Sequence, residues 1–104
     1  MENIIVFQPH SEAKQEISEL FQNKGYMPFY ADSLPEFISI IDSTKCSKTY
    51  MYIRNISDIR HLHTIKSLYE EMEINLIIPP HLRDIIKLLK NTNFNIFEDI
   101  TEIL

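Results

Sequence analysis

The longest unbroken apolar stretch near the middle of the chain is Tyr50-Met51-Tyr52-Ile53, set between Thr49 and the polar pair Arg54-Asn55. A strand with one wet face alternates polar and apolar residues. A continuous run therefore predicts a strand covered on both faces, as in a parallel sheet flanked by helices. Asn3-Ile4-Ile5-Val6-Phe7-Gln8, closed by Pro9, predicts a first strand. Tyr26 to Ala31 predicts a second, and Pro28 within it cannot donate to a ladder, which places that strand at a sheet edge. Ile74 to Ile78, stopped by Pro79-Pro80, and Phe94 to Phe97 predict the fourth and fifth.

Helical spacing fills the gaps. Ser11 offers an N-cap to a stripe of Ala13, Ile17, Leu20 and Phe21, closed by Lys24 and by Gly25 at the C-cap. Ser33-Leu34-Pro35-Glu36 combines a capping-box pattern with an early proline, ahead of a face made by Leu34, Phe37, Ile38 and Ile41. Asp42 to Lys48 is a polar turn. Ser57-Asp58 opens a third helix whose stripe runs Ile59, Leu62, Ile65, Leu68, Tyr69, Met72, although Glu70, Glu71 and Glu73 crowd the end that the helix dipole makes unfavourable for acids. Leu82, Ile85, Ile86 and Leu89 mark a fourth helix, with Lys87 and Lys90 near its end. Asp99 and Glu102 open a last helix that is short or absent. Strict alternation of strand and helix predicts a three-layer α/β architecture, an open parallel five-stranded sheet of flavodoxin-like order 2-1-3-4-5. It is expected to occupy residues 1–104 as one domain.

Composition narrows the function. The apolar fraction of 44% is that of a folded chain, and the formal charge of -5 disfavours direct nucleic-acid binding. One cysteine, Cys46, excludes an internal disulfide and fits a reducing cytoplasm. Neither a signal sequence nor a membrane-length apolar run is present, so a cytoplasmic protein without membrane contact is expected. A single glycine, against an average usage of about 7 %, leaves no material for a glycine-rich phosphate loop or a dinucleotide fingerprint. No cofactor is expected.

The layout resembles, nearly end to end, the receiver domain of two-component response regulators. Ile4 to Phe7 with the Ser11–Gly25 helix and Tyr26 is similar to the receiver's first strand, first helix and the turn after it. Tyr50 to Ile53 followed by Asp58-Ile59-Arg60-His61-Leu62 is similar to its third strand and helix, and Glu73 to Ile78 to its fourth strand. The resemblance implies positions at which chemistry should sit, and the chain departs from each. Gln8-Pro9-His10 stands where a receiver has its Mg²⁺-binding acids. Arg54 or Asn55 stands at the phosphoacceptor aspartate, Pro79-Pro80 at the Ser or Thr after the fourth strand, and Glu98-Asp99 at the Lys-Pro after the fifth. A receiver with these departures lacks a nucleophile and metal ligands, and is expected to be degenerate.

In open parallel sheets ligands bind at the carboxyl ends of the strands, which makes Gln8, His10, Arg54, Asn55 and His81 the candidate ligand-binding residues. His10 and His81 with Asp58 or Glu98 could hold Zn²⁺, but no spacing matches a metal motif, and the simpler expectation is exposed or capping histidines and no metal. His61 and His63, two apart, face opposite sides of a helix and cannot share a site. Arg54 could hold an anion or pair with Asp58 or Glu98. Cys46 lacks an activating partner and reads as an ordinary thiol. Because Ile100, Ile103 and Leu104 can only begin a covering helix, apolar surface beside the first helix is expected to stay open as an interaction surface for a homodimer or protein partner. The preferred expectation is a non-catalytic, receiver-like regulatory module. A small enzyme or ligand-binding protein using the carboxyl-edge crevice is the alternative. A STAS-type domain fits less well, because its extra initial antiparallel strands are not seen.

Overall fold

The computed structural model describes residues 2–7, 14–89, 94–99 and 102. β1 (Glu2–Phe7), β2 (Tyr26–Ala31), β3 (Lys48–Tyr52), β4 (Glu73–Ile77) and β5 (Asn95–Phe97) form one parallel sheet of order 2-1-3-4-5. Between them run α1 (Lys14–Asn23), α2 (Leu34–Ser43) and α3 (Asp58–Leu68), with a 3-10 helical segment over Pro80–Leu89. β2 lies at an edge, which leaves Pro28 the place where a missing N–H costs least.

The unbroken apolar runs become a core on both sides of the sheet. Successive strand residues point to opposite faces. Ile5, Phe7, Met51, Ile53, Leu76 and Ile78 therefore meet Phe37 of α2, Leu62 and Ile65 of α3, and Ile85 and Leu89. Ile4, Val6, Tyr50, Tyr52 and Ile77 meet Ile17 and Phe21 of α1 on the other face. Phe7 and Phe37 pack edge to face with ring centroids 5.6 Å apart, the arrangement that aromatic quadrupoles favour.

Local chemistry sets the boundaries. Gly25, the only glycine, sits at φ +85 between α1 and β2, a left-handed turn that other residues enter at a cost. Ser33 caps α2 by accepting from the Glu36 N–H at 3.3 Å. The Glu36 carboxylate reaches back to the N–H of Asp32, one residue short of the reciprocal partner in a capping box.

Two helices depart from their sequence pattern. The apolar stripe continues to Met72, yet α3 stops at Leu68, and Tyr69 turns away at φ -132, ψ 69. Three acids follow within five residues, where the negative end of the helix dipole opposes them. Tyr69 and Met72 still pack on the core, but from a turn closed by Met72 N–H to the Tyr69 carbonyl at 3.1 Å. The segment after Pro79-Pro80 winds as a 3-10 helix broken at Leu82 (φ -107, ψ 18), not as a regular α-helix. Pro79 precedes the segment and Pro80 opens it, a position where a missing N–H costs little. Nothing in the structure explains why the tighter winding persists to Leu89.

A polar row crosses the α1 face near the amino ends of the strands. Asn75, 4% exposed, donates to the Thr49 carbonyl and to Glu73, and accepts from Asn95 at 3.0 Å. Lys48 donates to the Tyr26 hydroxyl at 3.2 Å and lies 3.8 Å from Glu73. The Tyr26 bond, with Glu73 behind it, holds the Lys48 ammonium above its usual pKa.

Candidate functional site

The carboxyl edge is organised by one buried carboxylate. β3 ends, Ile53 stays buried and donates its N–H to the Ile77 carbonyl, and the chain then turns into α3 through Arg54 to Ser57. Asp58, the first residue of α3, is 5% exposed. Its Oδ2 accepts from the Arg54 N–H at 2.7 Å and the Asn55 N–H at 3.2 Å. Sequence points to Ser57 as the cap of α3. Ser57 instead has helical backbone angles and no side-chain capping bond, and its N–H and hydroxyl both donate to Asn55 Oδ1. The loop is thus fixed by Asn55 and Asp58, with the Asp58 carboxylate turned inward onto backbone.

The other carboxylates of this edge are also engaged. Arg83 donates to Glu98 at 3.2 Å, and Glu102 accepts from the Glu98 N–H at 3.2 Å. A cleft of about 470 Å³ lies here, lined among others by Pro79, Pro80, Arg83, Ile86, Phe97 and Glu98. Of the sequence candidates, Arg54, Asn55 and His81 are exposed, and none of the three lines this cleft. Gln8 and His10 lie outside the described residues, as do Ile100, Ile103 and Leu104.

The remaining chemistry is scattered. His61 packs its ring 5.8 Å from that of Phe7, while His63 on the same helix is exposed. Among the described residues no group of three His, Cys, Asp or Glu side chains could hold a metal ion. Burial pushes the Cys46 thiol above its usual pKa. Tyr50 and Tyr52, both buried on the α1 face, are pushed up to about 12 by burial. No described helix is long and apolar enough to cross a membrane.

A second, larger cleft escaped the sequence. It lies at the opposite, amino edge, where the polar turn before β3 meets the turn after α3, and has a volume of about 570 Å³. Its lining comes from segments separated by some twenty residues, and the apolar stripe that assigns Leu68, Tyr69 and Met72 to one helix hides the turn that opens it.

No family model matches the chain, and no curated protein matches it in sequence. Solved structures do match. The response regulator protein TrrA from Thermotoga maritima, determined in complex with Mg²⁺ and BeF, superimposes with a TM-score of 0.74 at 17% identity, covering 96% of this chain and 89% of that one. The chain has the receiver fold. A response regulator receiver protein from Pseudomonas putida superimposes with a TM-score of 0.69 at 12% identity, covering 98% and 91% of the two chains. The receiver fold accounts for the strand order and for the alternation of strands and helices. At identities this low it speaks for fold alone, and the residues decide the rest.

Proposed function

We propose that this chain is a receiver-like regulatory module that works through protein–protein contact and without a phosphorylation switch. The observation that carries this reading is the end of β3. In this reading Arg54 or Asn55 stands where a receiver carries its phosphoacceptor, and the nearest carboxylate in sequence, Asp58, is buried against their backbone amides. At 5% exposure, with Oδ2 bonded to two backbone amides, Asp58 presents little surface to a phosphoryl group or a metal ion. An enzyme would need convergent polar groups at this edge, whereas Arg83, Glu98 and Glu102 are bonded to one another and Arg54, Asn55 and His81 lie outside the cleft that those three line. The contact itself is with a protein partner or a second copy, with Ile100, Ile103 and Leu104 as candidate contact residues.

The test is an amide NMR titration with Mg²⁺ and beryllofluoride. Unmoved resonances at Arg54, Asn55 and His81 are expected. Saturable, Mg²⁺-dependent shifts there would overturn the reading. The second reading, a small ligand-binding protein or enzyme, draws on the cleft between Pro79 and Glu98. Shifts confined to Arg83 and Glu98 on screening small anions would favour it.

A further inference from the structure

The amino-edge cleft is a groove with an apolar floor and an acidic rim. Ile41, Leu68, Tyr69 and Met72 supply apolar surface, and Glu70 and Glu71 stand at its edge. Leu68 is 55% exposed, although its helix otherwise turns apolar residues inward. The carboxyl ends of α2 and α3 both reach the groove, since Ile41 belongs to the last turn of one and Leu68 ends the other. A helix carboxyl end carries roughly half a negative charge, and α2 has no basic residue in its last turn to offset it. Among the described residues no basic side chain lines the groove. Of the lysines close by in the chain, Lys66 donates to the Glu70 carbonyl at 3.2 Å, Lys48 pairs with Glu73, and Lys45 lies beside the groove, lining with Ser47 a neighbouring hollow. Burial, and behind it the charge of Asp42 on α2, raises the pKa of the Tyr69 hydroxyl.

We propose that this groove docks a segment of a partner protein in which a large apolar side chain stands next to lysine or arginine. The apolar side chain would cover Leu68 between Ile41 and Met72, and the cation would lie against Glu70 and Glu71. Charge complementarity selects the occupant: an acidic or phosphorylated segment meets like charge and two helix carboxyl ends here. A second copy of this chain is a different occupant and appears as an outcome below. The proposal rests on the reading of the chain as a protein-contact module, and adds to the candidate contact residues Ile100, Ile103 and Leu104 a separate docking groove at the amino edge of the sheet.

The test is selection of displayed random peptides on the full chain, followed by NMR mapping and binding of synthesised winners to variants. E70K/E71K and L68S alter exposed side chains, and circular dichroism checks that both fold. Enriched peptides are expected to carry Lys or Arg beside Leu, Met or Phe and to shift Leu68 to Met72. Each variant should then weaken binding roughly tenfold or more, with a strong salt dependence in the wild type. Peptides that bind both variants as well as wild type would overturn the groove while leaving the contact reading intact. So would enrichment of acidic peptides, or no enrichment at all. Concentration-dependent dimerisation abolished by L68S would replace the partner with a second copy and equally overturn the proposal. Failure of the contact module as such is read separately, from the Mg²⁺ and beryllofluoride titration.

Discussion

Replacing Asp58 by alanine should damage the molecule far more than its place at the first residue of a helix suggests. The side chain is 5% exposed and receives two backbone donors, at 2.7 and 3.2 Å. A hydrogen bond to a charged group contributes about 1.5–3 kcal/mol net, and a stranded buried donor costs a similar amount. The two bonds share one oxygen, and the longer one is weaker, so they do not add in full. The exposed side chains of Arg54 and Asn55 show that water can reach part of the loop after truncation. Together these place the loss at about 2–4 kcal/mol. With a urea dependence of roughly 2 kcal/mol per molar, the unfolding midpoint should fall by about 1–2 M. Asp58→Asn keeps one neutral acceptor and should lose about half as much. Amide exchange should accelerate first at Arg54 and Asn55. A D58A midpoint within about 0.3 M of wild type, with those amides still protected, would refute the view that this carboxylate fixes the end of β3.

Two further outcomes follow from the same structure. Tyr50 and Tyr52 are held near pKa 12 when folded, against about 10 when unfolded. The folded state thus holds their protons more tightly, and that stability is intact below pH 10 and lost as pH rises from about 10 to 12, by roughly 2–3 kcal/mol per tyrosine. Alkaline denaturation that coincides with tyrosinate absorbance, and recedes in Y50F/Y52F, would confirm it. Absorbance rising near pH 10 in the still-folded protein would not. Gly25→Ala meets nothing within 4 Å of the added Cβ, so only its φ of +85 opposes it. The expected loss is about 1–2 kcal/mol in thermal or urea unfolding, and an unchanged midpoint would contradict it.

Much of this fold was legible because its punctuation is unambiguous. Gly25 and Pro28 place β2 and its edge position, and the unbroken Tyr50–Ile53 run announces a strand covered on both faces. Periodicity failed where it could not see an ending. The stripe to Met72 is equally compatible with a helix and with a helix followed by a turn that packs on the same core. That ambiguity hid the amino-edge groove. At the carboxyl edge the sequence offered the residues but not the backbone groups they meet. Asp58 and Glu98 read as metal ligands or partners for Arg54, whereas Asp58 faces two backbone amides and Glu98 pairs with Arg83. Backbone donors leave no mark on a sequence, so only the folded loop shows which of them a carboxylate meets.

The buried Asn75 works as a key for strand alignment. It is paired with Tyr50 on one side and Asn95 on the other, and its amide reaches across both gaps. Sliding β4 by one residue would turn its apolar set to the wrong layer. Sliding by two keeps the layers, and apolar burial alone penalises that little. With Asn75 moved two places forward it would stand between Tyr52 and Phe97 and lose its bond from Asn95. Moved back, Ile77 would face Asn95 and the amide pair would be lost. Either shift costs on the order of 1–3 kcal/mol, enough to make one alignment of the sheet dominant. One polar residue thus distinguishes arrangements that a wholly apolar β4 would leave nearly equal in energy.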